Sequence, residues 1–356
     1  MLMENLRRTL GAGIAISSLI GAMGAHALPS YSELIVFGDS LSDTGNAANF
    51  TETASLPLQP LYFTDFPDLV PDTAYEVSRK FTNNGPIWVE TLGAALGLPT
   101  EPFSEGGTVY AIGGANSTDN LPGVPPENDP LFSVEEQVGI FLADRAYVAP
   151  SDALYTFTIG ANDVRDALAL AASGGNPIPV IQASLTSVVT MIGALATSGA
   201  EDILLFNVPN LGVVPQVTLF DALDPQDVAL LFAQAAASYN SLMAAALTQL
   251  VADLALAGID LNLILADSYD LLTDVSSNPA TYGLTNGVDS CLGFFPDLPC
   301  AEPDSYVFWD GIHPTVAMHQ IVAQAAFEAI PVPGPIVLLL IGALAARGVQ
   351  ARRALV

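Results

Sequence analysis

Positive charge is the scarcest commodity in this 356-residue sequence: nine Lys and Arg stand against 37 Asp and Glu, for a formal net charge of −28. Five of the nine, Arg7, Arg8, Arg347, Arg352 and Arg353, lie in the terminal segments. Residues 28–330 hold the other four, Arg79, Lys80, Arg145 and Arg165, against 36 carboxylates. A surface that acidic repels phosphate backbones and anionic headgroups, which argues against a nucleic-acid or polybasic membrane-surface role. Histidine is scarcer still, with only His313 and His319 beyond residue 27. A transition-metal hydrolase that needs two or three imidazoles plus a base is hard to build from two, so no metal or other cofactor is expected. Cysteine is limited to Cys291 and Cys300. Charged residues make up only 13% against 51% hydrophobic, which excludes disorder driven by charge and leaves ample core for one large α/β domain or two small ones.

The two ends carry export signals. Arg7 and Arg8 precede an apolar run over 10–23, and Ala25-His26-Ala27 supplies the small-x-small pattern that a signal peptidase cuts. The run is shorter than the roughly 20 apolar residues a span needs, so 1–27 reads as a signal peptide removed before Leu28 in preference to an N-terminal anchor. In the oxidising compartment this implies, Cys291 and Cys300 are expected to pair across a short loop as a structural disulfide. At the other end Pro331-Val332-Pro333-Gly334-Pro335 breaks the preceding helix, and an apolar run over 336–346 is followed by Arg347, Arg352 and Arg353. A rigid break, a marginal span and a basic stop make a membrane-arrest signal. This tail, 331–356, resembles the PEP-CTERM type of exosortase sorting tail, with Pro-Gly-Pro in place of Pro-Glu-Pro; a permanent C-terminal anchor is the alternative. Both place the protein in the periplasm, at the cell surface or outside the cell.

Between the ends, 28–330 reads as one domain. Short β-rich runs at 34–37, 108–112, 154–159, 203–207 and 261–266 alternate with helix-period segments. Ile181, Leu185, Val188, Val189, Ile192 and Leu195 share one face, as do Met243, Ala246, Leu247, Leu250, Val251 and Leu254. The alternation predicts a three-layer α/β/α sandwich with a parallel, flavodoxin-like five-stranded sheet. A mean hydropathy of +0.46 raises the question of interior spans. Gln182, Ser184, Thr248 and Asp253 interrupt the stripes, as in helices that bury one face. The stretches 119–130, 172–179, 50–80 and 284–305 read as loops over one end of the sheet.

In an open parallel sheet, ligands bind beyond the carboxyl ends of the strands. Gly38-Asp39-Ser40-Leu41-Ser42-Asp43-Thr44-Gly45-Asn46, Gly113-Gly114-Ala115-Asn116 and Gly160-Ala161-Asn162-Asp163 follow the first three candidate strands. Singly, each reads better as ordinary structure: Ser40 or Ser42 as helix caps, the glycines as a tight turn, Asn162 as an N-cap. A Ca²⁺ loop around Asp39 and Asp43 is a third reading, although the spacing lacks the alternation of an EF-hand. An acyl-transfer site needs just one imidazole. His313 sits in Asp310-Gly311-Ile312-His313-Pro314, where Pro314 biases it out of the helical region and suits the opening of the next helix. Asp310 is then close enough to accept the Nδ1 proton. His319, inside that helix, reads as a surface or satisfied residue.

Phe37-Gly38-Asp39-Ser40-Leu41-Ser42-Asp43-Thr44-Gly45-Asn46, Ile112-Gly113-Gly114-Ala115, Gly160-Ala161-Asn162-Asp163 and Asp310-Gly311-Ile312-His313-Pro314 resemble, in order, the four blocks of the SGNH or GDSL esterase and lipase family. The stretch from Phe81 to Glu90 and Asn207-Val208-Pro209-Asn210-Leu211-Gly212 resemble accessory blocks of its lipase/lecithinase-like branch, with an extra residue at Asn83-Asn84-Gly85. The match spans about 33–327, and the ordered set is far more specific than any one block. The resemblance implies a serine ester hydrolase with Ser40 as nucleophile, His313 as general base and then acid, and Asp310 as its orienting carboxylate. It implies an oxyanion hole from the Ser40 and Gly114 N–H groups and the Asn162 amide. Acyl esters or lipids are the implied substrates. A carbohydrate O-deacetylase and a non-catalytic surface-displayed binding protein are the alternatives.

Overall fold

The computed structural model describes residues 30–53, 79–124, 132–223, 227–292 and 299–331. The expected signal peptide, 1–27, and all of the expected tail but Pro331 lie outside these, as do 54–78, 125–130 and 293–298 of the expected loops. Residues 31–330 form one unit, built on four five-residue parallel strands: β1 (Leu34–Gly38), β2 (Leu154–Thr158), β3 (Asp202–Phe206) and β4 (Asn262–Ala266), in that spatial order. The described α-helices are α1 (Asn46–Thr53), α2 (Trp88–Leu96), α3 (Val134–Asp144), α4 (Ala161–Ala172), α5 (Ile178–Ser198), α6 (Pro215–Leu223), α7 (Val228–Leu256), α8 (Ser268–Ser277) and α9 (Val316–Ala329).

Strand alternation sends side chains to two cores. Ile35, Phe37, Tyr155, Phe157, Ile203 and Leu205 meet α3, α5 and α7 on one face, and Leu34, Val36, Leu154, Leu204 and Phe206 meet α2 and α9 on the other. The result is the expected three-layer sandwich. The two predicted helical stripes fall on α5 and α7, where Val188, Ile192, Leu195, Met243, Leu247 and Leu254 are buried. Both helices have the length and apolar content of a membrane span, and both press those stripes onto the sheet.

The expected strand at 108–112 lies parallel to the outer edge of β1 but forms a single bridge to it, Val36 to Val109, with Val109 also bridging Pro102. Val36 N–H donates to Thr108 O, Tyr110 N–H to Val36 O and Ile112 N–H to Gly38 O. The next rung would need Gly38 N–H, which instead donates to Gln137 Oε1 at 2.9 Å. Gln137 returns a hydrogen bond to Gly38 O, so one buried side chain interrupts the ladder where the chain leaves the sheet. The spatial order is thus the flavodoxin-like one, with the fifth member reduced to an edge.

Three local expectations need correction. Part of 284–305 is not loop: β5 (Asn286–Ser290) pairs in parallel with β6 (Tyr306–Phe308) in a separate small sheet. Pro314 does not open α9, because Thr315 is its N-cap, its Oγ1 accepting from Met318 N–H at 3.2 Å. Pro314 instead forms an antiparallel bridge with Phe308. The 50–80 stretch also differs at its start, where residues 50–53 belong to α1.

Candidate active site

At the tip of β1 the backbone comes too close to β2 for a side chain. Gly38 has φ +154°, and a Cβ there would lie 2.3 Å from Thr158 Oγ1. Just before it, Phe37 locks into the core, its ring 5.5 Å from Tyr110 and 5.6 Å from Phe141. Truncating such a ring costs about 3–5 kcal/mol. The following turn closes on Asp39, whose Oδ1 accepts Leu41 N–H at 3.0 Å and whose carbonyl accepts Ser42 N–H at 3.1 Å. Burial pushes the Asp39 carboxyl up to about 6, against the pull of the Leu41 N–H and of His313.

Asp43 fastens this loop to the next one. Its Oδ1 accepts the Gly45 and Asn46 N–H groups at 2.8 and 2.6 Å, and its Oδ2 accepts those of Ala47 and Gly113 at 3.1 and 2.8 Å. Burial raises its pKa and these four donors lower it. With both oxygens occupied by backbone, Asp43 is a structural tie, which counts against its reading as part of a Ca²⁺ loop. Asn46 adds bonds to the Val109 and Ala111 carbonyls.

Ser40 Oγ lies 2.9 Å from His313 Nε2, and His313 Nδ1 lies 2.7 Å from Asp310 Oδ2. The second Asp310 oxygen accepts Ile312 N–H at 2.7 Å and His313 N–H at 2.6 Å. Asp310 and His313 are 1% and 4% exposed, so the pair works with little screening. The Phe81 ring covers the imidazole with centroids 5.1 Å apart. The loop carrying them is fixed at both ends: Trp309 N–H donates to His313 O at 2.8 Å and Gln216 N–H to Gly311 O at 2.9 Å. Beneath it, the Cys291–Cys300 disulfide, with Cα atoms 4.9 Å apart, packs with Leu292 and Trp309.

Asn162, in the first turn of α4, donates one amide hydrogen to Ala115 O at 3.0 Å. Ser40, Asn162 and His313 line one cavity of about 170 Å³, whose walls are mostly apolar. Gly114 does not line that cavity. It sits at φ +81° in the turn closed by Ala115 N–H to Ile112 O, tied to the serine loop through Gly113 and to Asn162 through Ala115. Among the described residues, Leu41, Ser42, Gly113 and Ala115 all donate their N–H groups, whereas Ser40 N–H and Gly114 N–H have no acceptor. Ser40 is half-buried and Gly114 buried, and buried amides left without an acceptor are uncommon and call for a role.

His319 is neither exposed nor fully satisfied. It is buried against the same cavity. Its Nδ1 accepts Trp88 N–H at 3.3 Å, and its Nε2 has no partner among the described residues. Burial, with His313 and Lys80 nearby, depresses its pKa to about 3. The sequence reading placed Asn83 and Thr82 in an accessory block without foreseeing their contacts: Asn83 Oδ1 accepts Val316 N–H at 2.6 Å, and Thr82 donates to Pro314 O at 2.8 Å. The extra residue of that accessory block therefore lies beside a clamp on the His313 loop. Asx chemistry next to Gly85 was the available signal, but its target, 233 residues away, was not.

A serine hydroxyl on an imidazole that is oriented by a carboxylate is equipped to attack a carbonyl, and the unspent amides of the serine loop and of the turn tied to it are the type of donor that stabilises the resulting anion. The profile of the GDSL-like Lipase/Acylhydrolase family matches residues 34–326. A GDSL esterase/lipase of Arabidopsis thaliana is 27% identical over 82% of this chain and 88% of its own length. A second from the same plant is 26% identical over 81% of this chain and 84% of its own. Lipase 1 of Photorhabdus luminescens is 24% identical over 92% of this chain but 54% of its own length. The match covers every block from the serine loop to α9, and the chain belongs to the GDSL-like lipase/acylhydrolase family of ester hydrolases.

Proposed function

We propose that this chain is an exported serine carboxylester hydrolase that works through an acyl-enzyme, with residues 28–330 as its catalytic domain. Ser40 Oγ attacks the ester carbonyl as His313 Nε2 takes its proton. Asp310 holds the imidazole in one tautomer and offsets the imidazolium charge. The oxyanion receives hydrogen bonds from Ser40 N–H, Gly114 N–H and the second Asn162 amide hydrogen, each typically worth about 3 kcal/mol of barrier. Collapse expels the alcohol with the proton from His313, and a water activated by the same imidazole releases the acid.

The observation that carries this reading is the 2.9 Å and 2.7 Å relay from Ser40 through His313 to Asp310. The apolar walls of the adjoining cavity, among them Val214, Val217 and Phe232, favour an acyl chain longer than acetyl, and so an esterase or lipase over a carbohydrate O-deacetylase. Export rests on the signal-peptide pattern of 1–27, and surface attachment or exosortase-type processing on the PEP-CTERM-like pattern of 331–356.

The test is turnover of p-nitrophenyl octanoate together with fluorophosphonate labelling. The protein is expected to hydrolyse the ester and carry the label on Ser40, and Ser40→Ala to lose the label and on the order of 10⁴-fold or more in kcat. Undiminished turnover by Ser40→Ala would defeat the proposal.

A further inference from the structure

Resting on that reading of the site, a further inference concerns its one cation. Of the four basic residues in 28–330, Lys80 is bound to Glu90 at 2.7 Å, and Arg145 holds Glu33 through two bonds at 3.1 and 2.6 Å. Arg79 donates to Asn49. Arg165 is placed differently. It lines the cavity that holds Ser40 and His313, with 29% of its side chain exposed. It forms an ion pair with Asp166, but at 3.6 Å from Oδ1 the contact is longer than a hydrogen bond, and Asp166 Oδ2 is taken by Asn116 Nδ2 at 2.9 Å. The guanidinium donors therefore have no hydrogen-bond acceptor among the described residues.

Arg165 also follows Asn162 by three residues on α4, so the two side chains share a face with Cβ atoms about 5–6 Å apart. A planar fork of donors one turn from the proposed oxyanion donor, at the edge of apolar walls, suits an amphiphile. An arginine fork matches phosphate and carboxylate oxygens. On a molecule this acidic, Arg165 is the one Lys or Arg side chain among the described residues lining the cavity, and so supplies local positive charge for an anion there. We propose that Arg165 determines specificity by pairing with an anionic group of the substrate, a phosphate or a carboxylate, near the scissile ester, while the apolar walls take the hydrocarbon chain.

Calorimetric binding to full-length Ser40→Ala protein tests this without requiring turnover, with octyl phosphate, octanoate and 1-octanol as probes. At least one anion is expected to bind tenfold or more tightly than octanol. Arg165→Gln should bring that anion within about twofold of octanol, and Arg165→Lys should restore part of the gap. A preference confined to octyl phosphate or to octanoate assigns the anion. Equal binding of all three probes would overturn the proposal, as would a preference that survives Arg165→Gln or a parallel loss of anion and octanol. Absence of ester turnover by the unmutated chain would instead defeat the hydrolase reading, and the binding comparison would stand separately.

Discussion

The two sides of the cleft are held by different means. Ser40, Gly114 and Asn162 follow the tips of the main sheet or its β1 edge, and the turns that carry the first two are bolted together by one buried carboxylate, Asp43, with four backbone donors. Asp310 and His313 hang from a small sheet whose second strand has three residues, braced by a disulfide, a Thr315 cap and the Asn83 and Thr82 clamp. One arm takes its rigidity from the core; the other assembles it from separate contacts that are distant in sequence. The difference shows that the two halves of the Ser40, His313 and Asp310 relay are held in register without a common scaffold.

Asp43→Asn is the sharpest way to break that contrast. An amide would set donor against donor at one or two of the four N–H groups, and unsatisfied buried donors cost about 1–3 kcal/mol each. Urea unfolding should show a loss of about 3 kcal/mol or more, with kcat falling as the Gly113-Gly114 turn shifts; retained activity would show that the turn does not depend on the bolt. Replacing Cys291 and Cys300 by Ser should cost about 2–3 kcal/mol, from the entropy of the loop they close. Native-state hydrogen exchange should then quicken at Leu292 and Trp309 but not at Gly45 to Ala47. Uniform quickening would mean that the arms are not independent.

The smallest effect is one of pH, and the arms carry it with opposite signs. The unfolded chain binds a proton at His319 near pH 6.5 that the folded chain refuses until about 3. Stability is therefore fully present above about 6.5 and is lost as pH falls, by about 2 kcal/mol between pH 7 and 5. Asp39, raised to about 6, keeps its proton longer when folded, so its burial subtracts stability as pH climbs from about 4 to 6. His319→Gln should flatten the acid limb of a stability–pH curve. Asp39→Asn, which keeps an acceptor for Leu41 N–H, should gain on the unmutated protein over pH 4 to 6.

Much of this was legible in residue order. The apolar runs of β1 to β3 and the stripes of α5 and α7 are period signals strong enough to read alone, and the serine and histidine blocks could be ranked because so few imidazoles compete. The small sheet escaped because Asn286-Gly287-Val288-Asp289-Ser290 has little strand propensity and is held by its neighbours. The shortened fifth strand escaped because its missing rung depends on Gln137, a side chain from a helix 25 residues further on. His319 was misplaced because sequence position inside an amphipathic helix does not reveal which neighbour, here the Trp88 amide, supplies its contact.

The closure of His313 has a chemical corollary. Phe81 shields its face, Asp310 and Ser40 occupy its two nitrogens, His319 is buried, and both cysteines are spent on each other. Soft ions such as copper and zinc seek sulfur and imidazole nitrogen. Among the described residues no thiol and no exposed imidazole remains for them, so the contacts that hold His313 between Ser40 and Asp310 leave such metals only oxygen ligands at the surface.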